Sequence, residues 1–196
     1  MVDEADLLAA AEAAGVELTP RGAVKVDAQL RTTAPHIFAM GDVAGGLQFT
    51  YISLDDSRIV RSALLGDGGR TTENRGAVPY SVFLDPPFSR VGLTEQEAKE
   101  AGIPAKTGKC VMFGNARTVI VDGDRCLMKI VARSDSHEII GAQLMCEHST
   151  DMISELAQAI ANHLTPAQLL RAMRPHPTFA EAMTDALENL AEKLTD

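Results

Sequence analysis

The sequence predicts an α+β protein, and three observations carry that expectation. The chain has 196 residues, 45% of them hydrophobic, an ordinary globular composition that suits one large domain, or one domain and part of another. Short strand-like runs between 78 and 144 are followed by three helical patterns reaching the C-terminus, without the strand–helix alternation of a parallel sheet. A charged, glycine-rich run, 66–76, separates this half from a different pattern before it.

Along the first part, Asp6 to Ala14 is rich in Ala and Leu and stops at Gly15, as a short helix with a glycine end does. Pro20-Arg21-Gly22 marks a turn, and Ala23 to Asp27 alternates as a strand. Ile37 to Met40 is a short apolar run bounded by turn residues, the pattern of a buried parallel strand, and it ends at Gly41-Asp42. Past Gly45 and Gly46 a helix is expected from Thr50 to Leu65. Its buried face would hold Ile52, Ile59 and Leu64, with Asp55, Asp56 and Arg61 outside. The run 66–76 carries no large apolar residue, so the boundary is expected there, with domains at 1–70 and 77–196.

In the second part, Val78–Leu84 and Ser89–Gly92 read as strands around the turn Asp85-Pro86-Pro87. Thr94 with Glu97 forms a capping-box pattern for a helix ending at Gly102. Lys109–Phe113, Cys126–Ala132 and Glu138–Leu144 are further strands, the last two joined at Ser134-Asp135-Ser136 as a hairpin. Helices are expected over Asp151–His163, from Thr165-Pro166, and from Phe179 to Leu194, where Phe179, Met183, Leu187, Leu190 and Leu194 recur at helical spacing.

The net charge of −9 opposes binding to a phosphate backbone, so nucleic acid is excluded as a partner. No apolar run approaches the ~18–20 residues of a membrane span. The acidic start at Met1-Val2-Asp3-Glu4 does not read as a signal peptide, so a cytoplasmic location is expected. The three cysteines, Cys110, Cys126 and Cys146, form no close pair and read as packed thiols, with no metal site among them. Cys146-Glu147-His148 holds too few ligands for a metal, and His36 and His163 receive no role.

Two constellations carry chemistry. A strand ending at Gly41-Asp42 and leading to a helix sets backbone, carboxylate and helix N-terminus near one another, an arrangement for a hydroxyl-bearing, anionic ligand. A plain turn explains the dipeptide equally well. His176-Pro177-Thr178-Phe179-Ala180-Glu181 sets an imidazole before a helix and a carboxylate in its first turns. A carboxylate at one ring nitrogen fixes the tautomer and raises basicity at the other, as an acid–base histidine requires. His176-Pro177 is a plausible cis bond. Spacing alone also fits a turn histidine beside an exposed glutamate.

The stretch Thr33 to Asp42 resembles the second FAD-binding motif of the pyridine nucleotide-disulfide oxidoreductases. His176-Pro177-Thr178 with Glu181 resembles the C-terminal His-Pro-Thr-x-x-Glu signature of that family. Gly46 to Asp56 is most similar to the bacterial reactive-chlorine-resistance flavoproteins, relatives of mercuric reductase. The resemblance implies an antiparallel sheet with helices, the dimerisation domain, preceded by a fragment of a Rossmann-like FAD-binding domain. It implies FAD as cofactor, NAD(P)H as electron donor in the complete enzyme, and a homodimer. Gly41 and Asp42 would approach the flavin's ribityl or ribose hydroxyls. Gln48, Phe49 and Thr50 would face its N1–C2=O edge. His176, held by Glu181, would reach the partner's redox cysteines. No Gly-x-Gly-x-x-Gly and no Cys-x-x-x-x-Cys occurs, and the C-terminal cysteine pair of mercuric reductases is absent. The nucleotide fingerprints and redox disulfide are therefore expected upstream, and this chain alone is expected to be inactive. The alternative is a non-catalytic dimerisation or interaction module.

Overall fold

The computed structural model describes residues 4–122 and 126–195, and the chain forms two compact units, Met1–Arg75 and Gly76–Asp196. In the first, helix α1 (Glu4–Ala13) is followed by a 3-10 turn at Gly41–Ala44 and by helix α2 (Thr50–Leu65). The strands expected at Ala23–Asp27 and Ile37–Met40 do not form. Isolated antiparallel bridges replace them, at Leu18–Val24, Val26–Thr32 and Arg31–Phe38. The reason is local: the chain turns back at Asp27–Leu30 and at Ala34–Ile37, each closed by a backbone hydrogen bond, so each segment meets its neighbour only once. Met40, expected inside, is exposed, while Ala39 beside it is buried.

Helix α2 spans the expected residues and buries Ile52 and Ile59, but two expectations for its faces are overturned. Leu64 is exposed, and Asp55 and Asp56 are buried. The run 66–76 wraps back to meet them. Arg70 pairs with Asp55, Arg75 Nε lies 2.8 Å from Asp55 Oδ2, and Arg75 Nη2 pairs with Asp56. Buried carboxylates persist where cations match them, and these cations are too far along the chain for helical spacing to reveal.

The second unit is an antiparallel sheet ordered β1-β2-β5-β4-β3. Its elements are β1 (Tyr80–Val82), β2 (Phe88–Gly92), α3 (Glu95–Glu100), β3 (Ala105–Val111), α4 (Ala116–Ile120), β4 (Leu127–Arg133), β5 (Ile139–Met145), α5 (Ser149–Ala161), α6 (Pro166–Leu169) and α7 (Ala182–Thr195). The capping box at Thr94–Glu97 forms, and the Thr94 amide with Arg90 pulls the Glu97 carboxyl down to about 2. A second box forms at Thr165–Gln168. Helix α4 has no counterpart in the sequence expectation. Asn115 starts it by accepting the Arg117 and Thr118 amides, both at 3.1 Å.

Helices α5 and α7 pack on the sheet through Ile153 and Leu156 and through Met183, Leu187 and Leu190, against Met128, Ile130, Ala142 and Leu144. Strand β3 starts at Ala105 rather than Lys109, in a stretch whose small residues carry no apolar signal. Gly108 is there for contact: a Cβ at that position would lie 2.5 Å from Leu190 Cβ and strike the Ala186 carbonyl. Gly108→Ala is therefore expected to destabilise the second unit by about 1–3 kcal/mol, the cost of overpacking. Urea unfolding tests this, and an unshifted midpoint would mean that α7 can slide outward without loss.

The strand register sets Val82 opposite Phe88, Phe88 opposite Met145, Met145 opposite Leu127 and Leu127 opposite Val111. One end of the sheet thus carries the exits of β1, β3 and β5. Large apolar side chains are exposed along the residues that follow β1 and β3, among them Phe83 (86%), Phe113 (78%) and Ile120 (61%).

Candidate functional site

At the first constellation the backbone at Gly41 is left-handed, φ +72°, and a Cβ there would lie 2.6 Å from Ser53 Oγ. Its amide donates to Asp56 Oδ2 at 2.7 Å. Glycine is thus needed at 41 for the fit against α2, a reason beyond close approach to a ligand. Asp42 is exposed, and it lines a cavity of about 670 Å³ together with Arg21, Gly22, Val43, Gly45 and Gln48.

Phe49 occupies the N-cap of α2 in extended conformation, without a side-chain hydrogen bond to the helix. Its ring stacks on Tyr51 at 5.1 Å between centroids. Thr50 opens the helix and is exposed. Of the expected residues, Asp42 and Gln48 share the cavity wall. Phe49 and Thr50 start the helix beside Gln48, and Gly41 lies beneath, tied to Asp56. An exposed carboxylate and a 16-residue helix with no side-chain cap suit a ligand with hydroxyls and a negative edge.

At the second constellation His176 Nδ1 lies 2.7 Å from Glu181 Oε1. The other oxygen, Oε2, accepts the Thr178 amide at 2.8 Å, so the carboxylate both caps the turn at Phe179–Glu181 and holds the imidazole. The Thr178 amide, followed by His176, holds the Glu181 carboxyl below the usual glutamate range. The His176–Pro177 bond is cis, as is Asp85–Pro86. The His176 side chain is 70% exposed, open to a group brought from outside.

Spacing does not reveal the supports of this loop. Asn115 Nδ2 donates to the Thr178 carbonyl at 3.2 Å, tying the loop to the apolar end of the sheet. Arg174 reaches Glu155, a partner nineteen residues away. His148, at the exit of β5, lies with its ring 5.7 Å from that of Phe179. His163 stands 3.7 Å from Glu138, an acidic neighbour that sequence spacing did not suggest.

Cys126 and Cys146 are buried and Cys110 is half-buried. Burial pushes the Cys146 thiol up to about 12; burial and then Asp185 push Cys110 up to about 11. Both are protonated near neutral pH and so are poor nucleophiles. Among the described residues no group of three or more His, Cys, Asp or Glu could hold a metal ion, and no helix is long and apolar enough to cross a membrane. A larger cleft of about 880 Å³ on the second unit, lined by Lys99, Lys129 and Gln143 among others, contains neither constellation.

Residues 78–187 match the pyridine nucleotide-disulphide oxidoreductase dimerisation domain, and residues 3–57 match the pyridine nucleotide-disulphide oxidoreductase domain. The chain is 43% identical over 175 residues to the probable pyridine nucleotide-disulfide oxidoreductase RclA of Escherichia coli, an alignment covering 89% of this chain and 40% of that protein. It is 33% identical over 177 residues to a dihydrolipoyl dehydrogenase of Bacillus subtilis, covering 90% of this chain and 37% of that one. A solved structure, the Cu(II) complex of the HOCl-induced flavoprotein disulfide reductase RclA from Escherichia coli, superposes with a TM-score of 0.86 at 42% identity, over 91% of this chain and 40% of that chain. The chain therefore spans about 40% of the length of these relatives. A dimerisation-type antiparallel sheet follows a fragment of the nucleotide-binding domain, and the chain belongs to the pyridine nucleotide-disulfide oxidoreductase family.

Proposed function

We propose that this chain forms the C-terminal part of an FAD-dependent NAD(P)H oxidoreductase, contributing one wall of the flavin site, the homodimer interface and an acid–base pair. The observation that carries it is the 2.7 Å contact between His176 and a carboxylate held below its usual range. When bound, the flavin supplies the two-electron chemistry linking NAD(P)H to a cysteine pair and onward to a thiol/disulfide or metal-ion acceptor. Asp42 accepts hydrogen bonds from ligand hydroxyls, with Gly41 beneath it. The start of α2, at Gln48, Phe49 and Thr50, favours negative charge on a ligand edge. His176 takes a proton from a thiol at Nε2 and returns it, while Glu181 keeps Nδ1 protonated and stabilises the imidazolium. The protein acts in the cytoplasm and binds neither membrane nor nucleic acid.

The exposed Phe83, Phe113 and Ile120 support a second copy covering that end of the sheet. Asn115 ties the His176 loop to the same end, so such a dimer would set His176 near the interface between the copies. A second reading is a non-catalytic dimerisation module, supported by the dimerisation-domain match over residues 78–187.

Sedimentation equilibrium is expected to give twice the 20.9 kDa chain mass, and Phe113→Asp to give the monomer. A native monomer at micromolar concentration would remove the interface. Coding sequence that continues in frame upstream into two dinucleotide fingerprints and a cysteine pair would support the enzyme reading. A stop codon or unrelated sequence there would support the module.

A further inference from the structure

We infer that Arg174 is a positioning residue for the His176–Glu181 pair, present to hold the loop in place rather than to stabilise the domain. Its functional meaning rests on the acid–base reading above; its geometry does not.

Between α6 and the turn at Phe179 the chain is irregular, and the last helix-type backbone bond before it is Ala172 N–H to Leu169. Met173 is 97% exposed, and the His176 side chain is 70% exposed. Arg174 lies between them with its side chain only 6% exposed, directed into the domain. Nη2 donates to Glu155 Oε1 on α5 at 2.6 Å and stands 3.5 Å from Met183 Sδ, and Nη1 donates to Thr184 Oγ1 on α7 at 3.4 Å. One side chain therefore ties the loop to both helices that cover the sheet. Beyond His176, Thr178 Oγ1 donates to the Pro175 carbonyl at 2.7 Å, and Asn115 holds the Thr178 carbonyl. The loop is anchored on both sides of the imidazole, and Arg174 is its anchor on the N-terminal side.

The energetics argue against a purely stabilising role. Arg174 Nε is buried without a hydrogen-bond partner among the described residues. A buried guanidinium with an unmade bond loses in desolvation much of what its ion pair returns, and removing it costs little where the partner left behind can reach water. Glu155 is partly exposed and can be solvated if its partner leaves. Arg174→Met keeps most of the aliphatic packing and removes the tether.

The test uses NMR on the full 196-residue chain, following the Glu181 carboxyl titration and Thr178 amide exchange, with a thermal melt beside them. In Arg174→Met the melt is expected close to the native temperature. The Glu181 carboxyl should titrate higher, toward the usual glutamate range, and the Thr178 amide should exchange roughly tenfold faster, as loss of about one net hydrogen bond allows. Arg174→Lys, which can still reach Glu155, should move the Glu181 titration back toward native.

A native Glu181 titration in Arg174→Met overturns the inference, and so does a variant that fails to fold, which would make Arg174 structural. Either result leaves the acid–base reading standing. That reading fails separately, if thiol–flavin exchange in the complete enzyme survives His176→Ala.

Discussion

Asp56→Ala is expected to cost the first unit about 3–5 kcal/mol, the loss typical when one partner of a buried ion pair is removed. Asp56 is 5% exposed at its side chain and Arg75 15%, so the guanidinium left behind has little water to turn to and keeps only Asp55 as a partner. The same change strips the Gly41 amide of its acceptor, and Gly41 cannot shift freely because Ser53 crowds it and its φ is left-handed. The turn presenting Asp42 should loosen together with the end of the run that follows α2, where Arg75 lies. Urea unfolding followed by circular dichroism measures this as an early transition. Two further variants separate the causes. Asp56→Asn retains an acceptor for Gly41 and should lie between native and Ala. Asp56→Ala combined with Arg75→Met removes the half-paired guanidinium while Asp55 keeps Arg70, and should recover part of the loss. A single-variant effect below ~1 kcal/mol would mean that water reaches Arg75 after all.

His176→Ala is expected to slow exchange between thiol and flavin by about 10²- to 10⁴-fold in the complete enzyme, the usual range for a general acid–base group. Flavin content should stay native, because His176 lies in the second unit and the proposed flavin residues in the first. Stopped-flow measurement of flavin reduction by thiol reads this directly, and an unaltered rate would remove the acid–base role. Glu181→Gln should produce a smaller decrease, since the amide can still accept the Thr178 amide but loses its charge beside the imidazole.

The pH dependence has a definite sign. The folded Glu181 carboxyl titrates below its unfolded value, so its favourable pairing is complete above the usual glutamate range and is lost only as pH falls through the lower folded value. Activity that depends on an ionised Glu181 should therefore persist into mild acid. In Glu181→Gln the pH profile should lose that acidic limb.

Much of this was legible in the sequence wherever the determinant is local. Helix α2 falls over Thr50–Leu65 as its periodicity predicts, the box at Thr94 joins residues three apart, and Thr165 before Pro166 caps its helix. His176 and Glu181 are five residues apart, so a single turn brings them together. Where partners are distant, the same reasoning failed. Asp55 and Asp56 read as a solvated face because their arginines arrive from the run 66–76. Ile37–Met40 read as a buried parallel strand because an apolar run does not say what lies beside it, and the chain offers only an antiparallel bridge there.

By itself, then, the sequence determined the helices other than α4, the caps at Thr94 and Thr165, the strand-then-helix class and the spacing of His176 and Glu181, all set by backbone propensity and short-range hydrogen bonds. Tertiary structure alone decided which charges are buried, why Gly41 and Gly108 carry no side chain, and how Arg174 tethers the His176 loop. Those features depend on groups that meet only after the chain has folded back on itself, where desolvation and close contact, not sequence spacing, set the energy.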